Sequence, residues 1–322
     1  MTVGDASLRK SEYQTVIQTA GFCRSLGATL IELSGEDHAP FLHNLCTADI
    51  NGLQAGEGCE LFFTDVRGKT IGYGWAFIGR RSILLSTVPD QASVLLPHLD
   101  RYRIREDVQI FDRSNAWQQW ALCGPQAEIF CREKLGLQLD PQNLSHRRTI
   151  FEGLDLHCCR TEFFGLPGFL LQIETSSCGP LATALASMAA DCAVSVFQFL
   201  RIQAGSPLFG VDITPKNLPQ EIDRDAQAIS FTKGCYLGQE TVARIDALGQ
   251  VQQFLRRLKF PEAKELPPAG TLLEVDGQKA GHVTSASESP EDGCVVALGM
   301  IRCAHAGAGT QLSSATGKAE VL

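Results

Sequence analysis

Two stretches of this chain run through the same order of elements, and that repetition limits the folds open to it. From Gly27 to Leu33 a short apolar run reads as a strand. Ser34-Gly35 then supplies a turn and cap before a helix carrying Ala39, Leu42 and Leu45. After a loop from Asp49 to Gly58, strands are expected at Cys59 to Phe63 and Thr70 to Phe77, joined through Arg67-Gly68, and at Ser82 to Thr87. Pro89-Asp90 precedes a helix with Ala92, Leu95, Leu96 and Leu99, bent at Pro97. The order then recurs. Trp117 to Cys123 reads as a strand, and Gly124-Pro125 opens a helix with Ala127, Phe130 and Leu135. Strands follow at Thr149 to Thr161 and Phe169 to Glu174, and Gly179-Pro180 opens a helix with Leu181, Leu185 and Met188 on one stripe.

A strand–helix–strand–strand–helix unit used twice implies an α+β fold of duplicated antiparallel sheets, each covered by helices on one face. At 322 residues the chain exceeds what one core organises. The expected division is a region of residues 1–250, with subdomains at about 1–112 and 113–250, and a C-terminal unit at 251–322. In that last unit short strands alternate with turns at Asp276-Gly277, Ser289-Pro290-Glu291-Asp292-Gly293 and Gly307-Ala308-Gly309, which reads as a small β-barrel. Ser206 to Ala228, interrupted by Pro207, Pro215 and Pro219, reads as a long loop facing a substrate.

With 44% apolar and 20% charged residues, the chain has the composition of an ordinary soluble protein. A net charge of −8 argues against direct nucleic-acid binding and suits a small anionic ligand held by a few cations. Arginines cluster at Arg101, Arg103 and Arg105, at His146-Arg147-Arg148 and at Arg256-Arg257, which as a rule are solvated faces. No apolar run approaches a membrane span, and the polar start from Met1 to Lys10 does not resemble a secretory signal, so a cytoplasmic location is expected. Twelve cysteines form no Cys-x-x-Cys pair, and no metal site is visible. Cys23, Cys46, Cys123, Cys131, Cys192 and Cys294 sit in apolar stretches and read as small core residues.

The densest chemistry lies at Lys233-Gly234-Cys235-Tyr236-Leu237-Gly238-Gln239-Glu240, running on to Arg244. Leu237 to Leu248 reads as a helix that stops at Gly249. Cys235 would then sit at the mouth of a helix beside Lys233, and both neighbours favour an ionised sulfur. The plain alternative is a glycine-containing turn with a buried, inert thiol.

This octapeptide resembles the Lys-Gly-Cys-aromatic-x-Gly-Gln-Glu signature of the YgfZ-type folate-binding proteins, relatives of the aminomethyltransferase (T-protein) of the glycine cleavage system. Phe63-Thr64-Asp65-Val66-Arg67-Gly68-Lys69 is similar to that superfamily's early hairpin, and Leu200-Arg201-Ile202-Gln203-Ala204-Gly205 to its Arg-x-Glu-Ala-Gly segment. Gly281-His282-Val283-Thr284-Ser285 and Ala297-Leu298-Gly299-Met300 resemble its terminal barrel. The resemblance implies a T-protein-like fold and a cavity for tetrahydrofolate or a one-carbon derivative. It places Gln203, where the T-protein pattern has an acid, at the pterin, with Glu221 or Glu240 as substitute carboxylates. Gly234, Gln239 and Arg244 join the expected folate contacts, and Cys235 and Lys233 form the reactive pair. T-proteins also carry an aspartate after the hairpin glycines. Here the run is Gly68-Lys69-Thr70-Ile71-Gly72-Tyr73, so aminomethyltransferase activity is not expected.

Three readings stay open at this level. One is a folate-binding accessory protein for assembly or repair of iron–sulfur enzymes, including those that modify tRNA, with iron–sulfur proteins as partners. Another is a folate-dependent transferase that draws its acid from elsewhere. The third is a binding module in which Cys235 is inert. Whether the chain is an enzyme is left undecided by the sequence.

Overall fold

The computed structural model describes residues 3–24, 26–249, 251–263 and 265–322, so Met1 and Thr2 of the polar start lie outside it. The chain opens with helix α1 (Val3–Gln18) and strand β1 (Gly21–Cys23). Next come β2 (Thr29–Ser34), α2 (His38–Leu45), β3 (Gly58–Thr64), β4 (Thr70–Ile78), β5 (Ser82–Thr87), α3 (Ala92–Tyr102) and β6 (Gln109–Asp112). The second pass gives β7 (Trp117–Cys123), α4 (Ala127–Lys134), β8 (His146–Phe151), β9 (Leu154–Thr161), β10 (Gly168–Glu174), α5 (Cys178–Ala186) and β11 (Ala190–Asp191). Helices α6 (Val194–Ala204), α7 (Asp225–Ala228) and α8 (Gln239–Leu248) lead to the last six strands. These are β12 (Gln253–Phe260), β13 (Leu272–Val275), β14 (Gln278–Glu288), β15 (Val295–Arg302), β16 (Gln311–Ser314) and β17 (Gly317–Val321), and they close into a barrel.

Strands β3-β4-β5-β2-β6 form one sheet and β11-β1-β7-β10-β9-β8 another. All pairings within them are antiparallel except β1 with β11. The first strand of the chain therefore sits in the second sheet, Gly21 opposite Cys123, and crosses the division expected near residue 112.

Each sheet packs helices on its outer face: Leu42, Leu95 and Leu99 against the five-stranded sheet, and Phe130, Leu181 and Leu185 against the six-stranded one. The inner faces meet each other, with Tyr73, Trp75 and Phe77 sharing a core with Ala121, Cys159 and Leu170. Coverage on one face only was expected from the sequence, and the structure covers both. This is why β4 is buried at almost every position rather than at alternate ones.

Two further departures have local causes. Thr149 to Thr161 is a hairpin rather than one strand, because Glu152 (φ 50°) and Gly153 (φ 83°) both adopt left-handed backbone and reverse the chain. Ser206 to Ala228 is no free loop: Phe209, Asp212, Ile213, Asn217 and Ile222 are buried. Asp212 ties the strap down. Its carboxylate pairs with Arg201 Nη1 at 2.9 Å and accepts from Thr284 Oγ1 at 2.6 Å and Ser285 Oγ at 2.7 Å, joining α6 to the barrel.

Candidate functional site

Where the inner faces part, a cavity of about 420 Å³ remains. Its walls are aromatic because β4 turns Tyr73 and Trp75 inward and the segment after β9 supplies Phe163 and Phe164. Trp75 and Phe163 meet edge to face at 5.1 Å, Phe163 and Phe164 at 5.2 Å, and Phe164 and Phe197 of α6 at 5.1 Å. Such a stack of ring faces and edges suits a flat aromatic ligand.

The polar side chains in the lining include Gln91, Gln119, Gln198 and Arg201 beside Thr87 and Tyr73, and no Asp or Glu occurs among its described residues. Arg201 is buried. Its Nε donates to Gln198 Oε1 at 2.6 Å and its Nη1 to the Ser206 carbonyl at 3.1 Å as well as to Asp212. Burial pulls the guanidinium pKa down and Asp212 opposes that, so the cation is kept by its partner. Gln91 Oε1 is buried with no hydrogen-bond partner. Gln91 is also one of the lining residues, and a buried acceptor left without a partner is costly unless an N–H meets it, a chemistry the donor edge of a pterin has.

A carboxylate stands one side chain behind the wall. Tyr73 Oη donates to Glu60 Oε2 at 2.7 Å, and Arg224 Nε donates to the same oxygen at 3.0 Å. Burial and then Glu60 push the Tyr73 phenol well up, so it stays protonated and keeps donating. Beyond Gly27, Pro89 and Gln119, which border both spaces, the cavity opens into a wider groove of about 1150 Å³ with Arg24 and Trp117 on its rim.

Gln119 also begins a polar seam between the sheets. Its Oε1 accepts from Ser86 Oγ at 2.7 Å and from Gln172 Nε2 at 2.8 Å, while Gln172 Oε1 lies 2.7 Å from His157 Nδ1. His157 Nε2 lies 2.7 Å from His146 Nδ1, and His146 Nε2 lies 3.2 Å from the Glu57 carbonyl. Desolvation lowers both imidazoles, His146 to about 4 and His157 well below its ordinary value.

The Cys235 segment lies elsewhere. Lys233 turns its ammonium away from the thiol and into the C-terminal end of α2. There it donates to the carbonyls of His43, Cys46 (2.9 Å) and Ala48 (2.7 Å) and sits 4.9 Å over the Tyr236 ring. Unsatisfied carbonyls at a helix end attract a cation, and here they take the whole of it. Lys233 is thus a buried clamp on α2, not the sulfur's neighbour.

Leu237 N donates to the Asn44 carbonyl at 3.0 Å, and Thr64 Oγ1 donates to the Leu237 carbonyl at 2.5 Å. Gly238, at φ 82°, comes so close to the β3–β4 turn that an added Cβ would meet the Asp65 carbonyl at 2.5 Å. Asp65 is occupied in that turn, its Oδ1 accepting from the backbone N–H of Arg67 and Lys69 at 2.8 Å each. Helix α8 begins only at Gln239, so Cys235 precedes it by four residues and does not stand at its mouth. The thiol is exposed and borders an outer hollow of about 510 Å³ with Pro40, Phe41, Asn44, Tyr102 and Arg105.

None of the residues expected to contact folate lines the inter-sheet cavity. On α6, Phe197, Gln198 and Arg201 face it, and Gln203, two residues past Arg201, is about 200° further round the helix and exposed. Glu221 is buried but spent, its Oε2 accepting from Asn217 Nδ2 at 2.8 Å and Gln253 Nε2 at 3.1 Å. Gly234 is exposed with open space around it, Gln239 is half-buried, and Glu240 and Arg244 are exposed on α8. The lining residues that sequence reasoning missed, Tyr73, Trp75, Gln91, Gln119 and Gln198, belong to four different elements or turns. Only the helical phase of Arg201 could have pointed to Gln198. Among the described residues, no group of three or more His, Cys, Asp or Glu is placed to hold a metal ion, and no helix is long and apolar enough to cross a membrane.

Residues 6–232 match the GCVT N-terminal domain, and residues 255–321 match the glycine cleavage T-protein C-terminal barrel domain. The tRNA-modifying protein YgfZ of Yersinia pseudotuberculosis is 31% identical over 259 residues, covering 76% of this chain and 72% of that protein. A chloroplastic protein of Arabidopsis thaliana, named as a transferase, is 29% identical over 279 residues, or 84% of this chain. The match spans 63% of that relative, less than two thirds of its length. The aminomethyltransferase T of the glycine cleavage system from Bartonella henselae superposes with a TM-score of 0.85 at 21% identity, over 97% of this chain and 88% of that one, which is a likeness of fold. With both domain matches in place, the chain belongs to the glycine cleavage T-protein family, as a YgfZ-type relative with a T-protein-like fold.

Proposed function

We propose that the inter-sheet cavity holds the pterin of a reduced folate and that the protein acts as an accessory factor for assembly or repair of iron–sulfur enzymes, including those that modify tRNA. The observation that carries the folate placement is Gln91 Oε1, a buried acceptor without a partner in a cavity walled by aromatic rings. The pterin stacks on Trp75 and Phe197, its N–H edge meets Gln91, and Arg201 serves an electron-rich ring atom. The carboxylated tail leaves past Gly27 and Pro89 into the wider groove. Tetrahydrofolate supplies one-carbon chemistry when bound. The chain's own residues bind it, orient it and exclude water.

The reading assigns no aminomethyl transfer. Among the described lining residues no carboxylate is positioned to move a proton, and such a group contributes on the order of 100- to 10,000-fold in rate. The transferase reading draws on one observation, Glu60 behind Tyr73. There the acid is held by Arg224 and shielded by the phenol, which suits a structural ion pair better than proton transfer.

Cys235 in this reading is a thiol presented to partner proteins on the outer face, in a redox or cluster-contacting role and away from the folate. The cytoplasm is the compartment the reading uses, since it keeps twelve free thiols reduced. The test has three arms. Tetrahydrofolate should bind the wild type, and no methylene transfer from a lipoyl carrier should be seen. Cys235→Ala should fold and bind folate yet fail to restore iron–sulfur enzyme activity in a deletion strain. Full rescue by that variant would remove the thiol from the function, and lipoyl-dependent turnover would favour the transferase.

A further inference from the structure

The β4–β5 turn and strand β8 enclose a groove of about 460 Å³ that the folate reading does not use. Arg80 and Ser82 come from the five-stranded sheet, and His146, Arg147 and Arg148 from the six-stranded one. We propose that this groove is a binding site for a small phosphate-bearing anion.

Arg80, Arg147 and Arg148 line this groove in a protein of net charge −8, and no Asp or Glu occurs among its described lining residues. Arg80 and Arg147 are exposed and form no ion pair among the described residues. Arg148 is committed loosely, 3.6 Å from Glu32 and 5.6 Å over the Trp117 ring. Like charges brought together from two sheets repel one another unless an anion lies between them. The guanidinium fork matches phosphate oxygens, and several forks around one hollow exceed what a single carboxylate can satisfy.

The floor is organised as well. His146 is fixed between His157 and the Glu57 carbonyl, and His157 in turn by Gln172, so the imidazole at the groove is held in place. The size of the hollow fits a small molecule rather than an extended strand. The acidic balance of the whole chain also opposes a polynucleotide. This site stands or falls independently of what fills the inter-sheet cavity.

The test titrates the full chain with inorganic phosphate, pyrophosphate and a short single-stranded RNA by calorimetry, beside tetrahydrofolate as a control. Wild type is expected to bind pyrophosphate saturably with one site, more tightly than phosphate. The double variant Arg80→Gln, Arg147→Gln should bind it at least about tenfold more weakly, with an unchanged thermal melt and unchanged tetrahydrofolate affinity. Both arginines are exposed, so the fold does not depend on them, and the melt verifies that. Absence of saturable pyrophosphate binding at millimolar concentration, or binding indifferent to the double variant, overturns the proposal. RNA binding tighter than pyrophosphate with the same arginine dependence overturns the assignment to a small anion.

Discussion

The inter-sheet cavity and the Cys235 segment are built in opposite ways. The cavity collects side chains from β4, the start of α3, β7, the turn after β9 and α6, and almost every group in it points inward. The Cys235 segment is continuous in sequence, yet its most informative residues serve packing: Lys233 clamps α2, Gly238 admits the β3–β4 turn, and Leu237 is pinned by Asn44 and Thr64. The contrast teaches that a dense sequence motif can mark a joint of the fold, while the inter-sheet cavity leaves no contiguous trace. Cys235 itself is exposed beside its hollow.

The largest effect should come from the joint between cavity and barrel. Asp212→Ala leaves Arg201 buried without its carboxylate partner and removes an acceptor from Thr284 and Ser285, which should cost about 3–5 kcal/mol of stability in a denaturant titration. Folate binding should fall with it. Next, Lys233→Met should cost about 3 kcal/mol, since three carbonyls at the end of α2 lose a charged donor. If that variant melted like wild type, the lysine would be available for chemistry after all and the contrast drawn above would break.

The seam that runs between the sheets gives a pH prediction. Burial holds the pKa of His146 at about 4 and that of His157 lower still, below the ordinary value for an unfolded chain. The unfolded state therefore binds protons first as pH drops. Stability is complete above about pH 6.5 and is lost as pH falls toward 4, by roughly 2 kcal/mol at pH 5 from His146 alone. His146→Gln should flatten this part of the melting profile against pH. Gln91→Leu should weaken tetrahydrofolate binding by about fivefold, near 1 kcal/mol, with little change in stability. Cys235→Ala, the smallest effect, should change both stability and folate affinity by less than about 0.5 kcal/mol.

Much of the fold was legible because its strands and helices carry local marks. Gly124-Pro125, Gly179-Pro180 and the Asp276-Gly277 turn each sit where the chain changes element. Helix α1 was not foreseen, since its buried positions, Tyr13 and Val16, make too thin a stripe in a polar segment. The Glu152-Gly153 reversal was hidden by the β-like residues on either side of it. The motif's position near a helix was legible, but its side-chain directions were not. Lys233 went to carbonyls some 185 to 190 residues away in sequence, and Gln203 was turned out by the phase of α6. Distant partners decide such directions, and a single sequence records no distances.

The most direct test of the central claim is a crystal grown with tetrahydrofolate and read by its difference density. The account predicts a pterin between Trp75 and Phe197 with an N–H within hydrogen-bond reach of Gln91 Oε1, and no folate at Cys235. Density in the outer hollow against Cys235, with the inter-sheet cavity empty, would contradict it.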